Sequence, residues 1–245
     1  MLNLVKAELY KYSRKSFAYK LLAVLIGLII LMPIAINSFN PPGITREVLI
    51  SNFGFTFNFI LILVMVFAVV FLDDYREGTY KNLIVSNLSR TEIYLGKFIA
   101  QIILAFIIMF ICLIAVTIAL MFIQSDGNSL VLLSNVITRF LCSIPIYIAG
   151  ISIANLLAIT IKRGLIYIVY YLVITNMKGL VWILSIFIWK KFNCINNILL
   201  TTLLSNVGSI NTSKLTLVFS ILGGTIYTII FVLIGIIIFN KQEIK

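Results

Sequence analysis

DDYREGTYKNLIVSNLSRTEIYLGK, Asp73 to Lys97, is the stretch that decides how this chain is built. It holds four of the eight acidic residues, Asp73, Asp74, Glu77 and Glu92, together with the basic residues Arg76, Lys81, Arg90 and Lys97. Long apolar runs lie on both sides of it, so it is a loop on one face of a membrane. Its local signals predict a small folded unit. Gly78 suits the left-handed turn that ends a helix, and Thr79 then caps a short helix from about Tyr80 to Val85. Ser89-Arg90-Thr91-Glu92 is a capping box directly before an apolar run, so a new helix starts at Arg90. The loop therefore reads as helix, short transverse helix, helix.

Composition supports the membrane reading. Hydrophobic residues make up 62% and charged residues 11% of the 245, against about 45–50% and 25% in soluble domains. The chain is an integral membrane protein. Its net charge of +11 sits beside apolar runs, where the positive-inside bias places it, so nucleic acid is not expected as a partner. Cys112, Cys142 and Cys194 show no metal-ligand spacing and read as small apolar residues rather than a disulfide framework. No metal site is expected.

Residues 1–20 predict an amphipathic helix in the membrane interface. Leu2, Val5, Leu9 and Tyr12 fall on one stripe, while Lys6, Lys11, Arg14 and Lys15 lie elsewhere around the wheel, facing lipid headgroups. An unstructured positive anchor is the alternative. A cleavable signal peptide is not expected, since the apolar run continues to Ile36 and no A-x-A-like site follows.

Six membrane spans follow, at 21–39, 53–72, 98–123, 140–161, 165–179 and 215–239. The fourth starts near Phe140 because Arg139 would be costly deep in lipid, and Pro145 is expected to kink it. Gly150, Ala154 and Ala158 form a small-residue stripe there, and Thr216, Ser220, Gly224 and Thr228 form a second in the sixth span. Lys178-Gly179 interrupts the fifth apolar run. Either an unbroken helix lets Lys178 snorkel outward, or the helix breaks at Gly179 and residues 180–200 form a re-entrant or interfacial hairpin. With the N-terminus inside, thirteen basic residues lie inside and six outside, which sets both termini in the cytoplasm.

The chemistry the chain lacks is informative. It has no histidine and no acidic residue deep in a predicted span, so neither an intramembrane protease nor an ion-driven carrier fits. It has no G-x-x-x-x-G-K-[ST] phosphate loop, so any ATP-driven work draws its energy from another chain. Asn58, Gln101, Asn155 and Asn176 are candidates to line a pathway. Tyr167 and Tyr170, near the inner end of the fifth run, join them. Groups of this kind more often bond between helices.

Glu77-Gly78-Thr79, then Leu88-Ser89-Arg90, then Gly96-Lys97 opening an apolar helix, together resemble the cytoplasmic loop of type-2 ABC exporter permeases. Six spans, with the longest polar outer segment before the last, extend the resemblance over most of the chain. It implies an all-α polytopic membrane protein in the bacterial cell membrane. An N-terminal interfacial helix, a cytoplasmic coupling helix between spans two and three, and short outer helices between spans five and six complete this architecture. The resemblance favours the break at Gly179. It implies that Glu77, Gly78, Thr79, Leu88, Ser89, Arg90 and Lys97 form the docking site for two copies of a separate ATPase, which holds the ATP and magnesium. A second permease subunit, identical or related, completes the pathway. Small size and the lack of a large outer domain resemble permeases that export amphipathic antimicrobial or toxin peptides, or confer immunity to them. Export of a lipid-linked glycan or of sodium is the alternative within the family, and a membrane scaffold or sensor the alternative outside it.

Overall fold

A computed structural model describes residues 2–14, 16–39, 60–61, 88–122, 129–161, 166–209 and 212–242. Among these residues there is no strand. The helices are α1 (Leu2–Ser13), α2 (Ser16–Phe39), α3 (Arg90–Phe122), α4 (Ser129–Ile161), α5 (Ile166–Phe187), α6 (Leu200–Gly208) and α7 (Lys214–Lys241), with a 3-10 helix at Lys190–Asn197 between α5 and α6. The predicted second span, apart from Ile60 and Leu61, and the transverse helix at Tyr80–Val85 lie outside the described residues.

Three helical segments among the described residues are long and apolar enough to cross a membrane: Arg90–Ile118, Leu133–Ile161 and Lys214–Lys241. α2 and α5 carry shorter apolar segments, Leu22–Leu31 and Met177–Phe187. At 1.5 Å per residue the 33-residue α3 is about 50 Å long, well beyond a hydrocarbon core of about 30 Å. Its first two turns therefore project past the apolar layer, which is why the capped start at Arg90 precedes the apolar run at Phe98.

One apolar core joins α1, α2, α3, α4, α6 and α7. It runs from Tyr12 of α1 through Ile93, Tyr94 and Phe98 of α3 and Ile146, Tyr147 and Ile151 of α4 to Leu203 and Val207 of α6 and Phe239 of α7. Its densest seam is the crossing of α4 and α7. There Ser220 and Gly224 of the second small-residue stripe are buried. A Cβ at Gly224 would lie 2.9 Å from the Ile146 nitrogen and 2.9 Å from the Pro145 carbonyl carbon. Glycine is required here so that two backbones can touch. α4 is helical throughout, Pro145 included, with Gly150, Ala154 and Ala158 buried.

Two expectations are corrected. The buried face of α1 is Leu4, Val5, Glu8 and Tyr12, whereas Leu2 is 74% exposed. The stripe is rotated because a carboxylate at its centre finds a partner inside, which a hydrophobic wheel does not anticipate. The second correction concerns α5, which does not break at Gly179 but continues to Phe187. A glycine in a helix interior costs about 1 kcal/mol, whereas each unsatisfied backbone group in lipid costs several. Exposed Lys178 and Gly179 are therefore carried within the helix, and the irregular segment begins at Trp189-Lys190-Lys191.

Candidate functional site

α3 begins where the charged loop ends. Ser89 caps it: its Oγ accepts from the Glu92 amide at 3.2 Å, and Glu92 Oε2 accepts from the Ser89 amide at 2.9 Å. This reciprocal pair satisfies two of the donors that a helix start leaves open. Leu88, just before it, is half-buried against the core.

Arg90 turns away from the loop, toward the far end of the chain. Its Nη1 donates to the carbonyls of Asn240 and Gln242, both at 2.7 Å. These carbonyls belong to the C-terminal end of α7, where no intrahelical donor remains and the helix dipole is negative. Gln242 in turn donates through Nε2 to the Ile159 carbonyl at 2.8 Å, in the last turn of α4. The start of α3 and the ends of α4 and α7 are thus tied together at one end of the bundle.

Two turns along α3, Lys97 is fully buried and lies 2.5 Å from Glu8 Oε1 of α1. An amphipathic helix is therefore joined to an apolar one by a buried ion pair. Lys97 faces the interior of the helix packing. One turn further, Gln101 and Asn155 exchange hydrogen bonds: Gln101 Nε2 donates to Asn155 Oδ1 at 2.8 Å and Asn155 Nδ2 to Gln101 Oε1 at 2.5 Å. Both are buried. Each amide answers the other, so this pair is a cross-link between α3 and α4. Asn58, Glu77, Gly78 and Thr79 lie outside the described residues, and Tyr167, Tyr170 and Asn176 lie along α5.

Three features escaped the sequence reading. Tyr94 is fully buried, with ring centroids 6.5 Å from Phe98 and 6.1 Å from Phe239, and it fills the space that the missing side chain of Gly235 leaves. At the other end of the bundle, Arg139 Nη1 donates to the Val207 carbonyl at 3.0 Å, to the Ser209 carbonyl and to Thr212 Oγ1 at 2.8 Å. It caps α6, which has no side-chain cap at its own start. Glu8 is the third. Its spacing of four from Leu4 and from Tyr12 was the available signal, since i, i+4 and i+8 share a helix face.

A capped apolar helix that follows a charged loop, with an amphipathic helix at the N-terminus, is what the permease resemblance implies. A family model for ABC-2 family transporter proteins matches residues 4–178. The chain belongs to this family. No curated protein matches the sequence. The match runs from α1 into α5 and takes in the ion pair, the capping box, the amide cross-link and Arg139. As an ABC-2 permease the protein is the membrane component of an ABC transporter, and its family implies association with an ABC ATPase that supplies the hydrolysis.

Proposed function

We propose that this permease forms the pathway of a bacterial ABC exporter for amphipathic peptides, serving their export or immunity to them. Two six-span subunits, identical or related, enclose the pathway. Two ATPases dock in the cytoplasm on the 73–88 segment, and their ATP-driven closure shifts a site from inward or lateral access to outward release. The observation that carries the substrate reading is the outer half of α5. Leu180, Trp182, Ile183 and Phe187 are all exposed there, and Phe187 is 81% exposed. Beyond them stand Trp189, Lys190 and Lys191, with the Lys191 ammonium 4.8 Å from the Trp189 ring. From 127 to 242 the sequence contains no acidic residue. A broad apolar surface under a cationic rim suits a membrane-partitioned peptide whose own positive charge is not needed.

The test has two arms. Purified in mild detergent, the permease is expected to bring down a Walker-type ATPase; a scaffold or sensor would not. Transport is then measured with a series of helical peptides that share one apolar face and differ only in the charge of the opposite face. Neutral and anionic amphipathic peptides should be carried as well as cationic ones. Activity confined to cationic, non-amphipathic peptides would overturn the peptide reading. Activity toward sodium or a lipid-linked glycan instead would replace it.

Orientation has its own check. Cys194 is exposed on the 3-10 helix, so the wild-type protein should react with an impermeant maleimide in intact cells. Cysteines placed at Asn82 or Asn240, in a background lacking the native three, should be protected. Labelling of Asn82→Cys from outside would reverse the topology and remove the docking loop from the cytoplasm.

A further inference from the structure

α4 and α7 are closely packed, with Gly224 of one against the backbone of the other, whereas α3 packs on each of them far more sparsely. Yet α3 is the helix that the 73–88 segment leads into. Among the described residues, a displacement of the loop reaches the α4–α7 pair through the links that α3 makes to them. The link nearest the loop is Arg90, whose guanidinium holds the Asn240 and Gln242 carbonyls at 2.7 Å. The Gln242 amide relays this to α4 through the Ile159 carbonyl at 2.8 Å. A charge-assisted bond onto the negative pole of a helix is strong and directional, and it acts one residue from the cap that ends the loop.

We propose that Arg90 and Gln242 form a transmission clamp. They convert displacement of the 73–88 segment into joint movement of α3, α4 and α7, as positioning residues rather than as part of the ATPase contact. The proposal rests on the reading that the ATPase docks on that loop. It departs from the expectation that Arg90 meets the ATPase, because its Nη1 is engaged by the permease's own helix end.

The test uses the complex of the full-length permease with the ATPase recovered alongside it, in lipid nanodiscs. Spin labels are placed at Ile103 of α3 and Leu233 of α7, both of which are exposed. In the wild type the distance between the labels should be the same without nucleotide and with ATP and vanadate. Arg90→Gln should bind the ATPase as tightly as the wild type and show its distance without nucleotide, and with ATP and vanadate its distance should change by about 2 Å or more, the scale of a helix shift. Gln242→Ala keeps the carbonyl that Arg90 holds and loses only the bond to the Ile159 carbonyl, so it should show a change of that size between labels at Ile103 and at exposed Leu141 of α4. Arg90→Lys, which keeps the charge, should recover much of the wild-type behaviour.

A merely structural role would alter the nucleotide-free distance as well. That result would overturn the clamp, as would an ATP-state distance unchanged in both variants. ATPase binding weakened tenfold or more by Arg90→Gln, about 1.4 kcal/mol, would return Arg90 to the docking surface. If Arg90→Gln does not assemble, Gln242→Ala decides the matter, since it leaves the guanidinium in place. A wild-type permease that binds no ATPase would instead defeat the docking reading itself.

Discussion

Lys97→Leu should destabilise the permease by about 3–5 kcal/mol, the usual consequence of removing one partner from a buried ion pair. Glu8 is 5% exposed, and its Oε2 has no hydrogen-bond partner. Lys97, 2.5 Å from Oε1, is its countercharge. Without the ammonium the carboxyl must stay buried and unpaired, take up a proton, or draw α1 away from α3. Glu8→Leu should also destabilise the fold, because it takes the carboxylate away from a fully buried ammonium. The double variant Glu8→Gln/Lys97→Met removes both charges and keeps the volume, so it should sit much closer to the wild type than either single change. Thermal unfolding in nanodiscs measures the three, and limited proteolysis reports whether α1 is released. A double variant as unstable as Lys97→Leu would show that packing, not charge, holds α1 in place.

The second large effect is expected at the α4–α7 seam. At Gly224 the nearest atoms to an added Cβ are all backbone: Ile146 N and Pro145 C at 2.9 Å and Ile146 Cα at 3.1 Å. No rotamer change can relieve such a contact, so the helices must separate. Gly224→Ala should cost about 1–3 kcal/mol, as overpacking does, and Gly224→Leu more. Gly223 provides the control. Its added Cβ meets only the Leu203 side chain, at 2.9 Å to Cδ1, and that methyl can move. Gly223→Ala should therefore be milder. Gly179 has nothing within 4 Å of an added Cβ, and Gly179→Ala should stabilise α5 by up to about 1 kcal/mol through helix propensity. Melting temperatures of the three alanine variants test the order. Equal effects at 223 and 224 would refute the backbone-contact account.

A network of this kind explains why a small permease tolerates polar groups in its interior. Glu8 answers Lys97, Gln101 answers Asn155, and Arg139 satisfies carbonyls at the end of α6. The buried serines bond locally, Ser143 to the Phe140 carbonyl at 2.6 Å and Ser152 to the Ala149 carbonyl at 2.7 Å. In a medium without water such pairing is required rather than optional. It also concentrates the specific links between helices in a handful of side chains, since apolar packing against lipid-like neighbours discriminates little.

By itself the sequence determined the class of the protein and the points where local chemistry acts within one turn. The apolar runs made it a membrane protein. The capping box started α3 at Arg90, because Ser89 and Glu92 are three residues apart and need nothing distant to bond. The small-residue stripe in the last span marked a close helix approach. Only the tertiary structure decided the partners. Lys97 meets a residue 89 positions away, Arg90 meets carbonyls 150 and 152 positions away, and Gln101 meets one 54 away. The physical reason is rotation. α3, α4 and α7 are apolar around most of their circumference, so their residue pattern does not say which face turns inward or at what height two helices cross. That is settled where a glycine admits a backbone and where a buried charge or amide finds its complement. The same balance kept α5 helical past Gly179, because an open backbone in lipid costs more than a glycine in a helix.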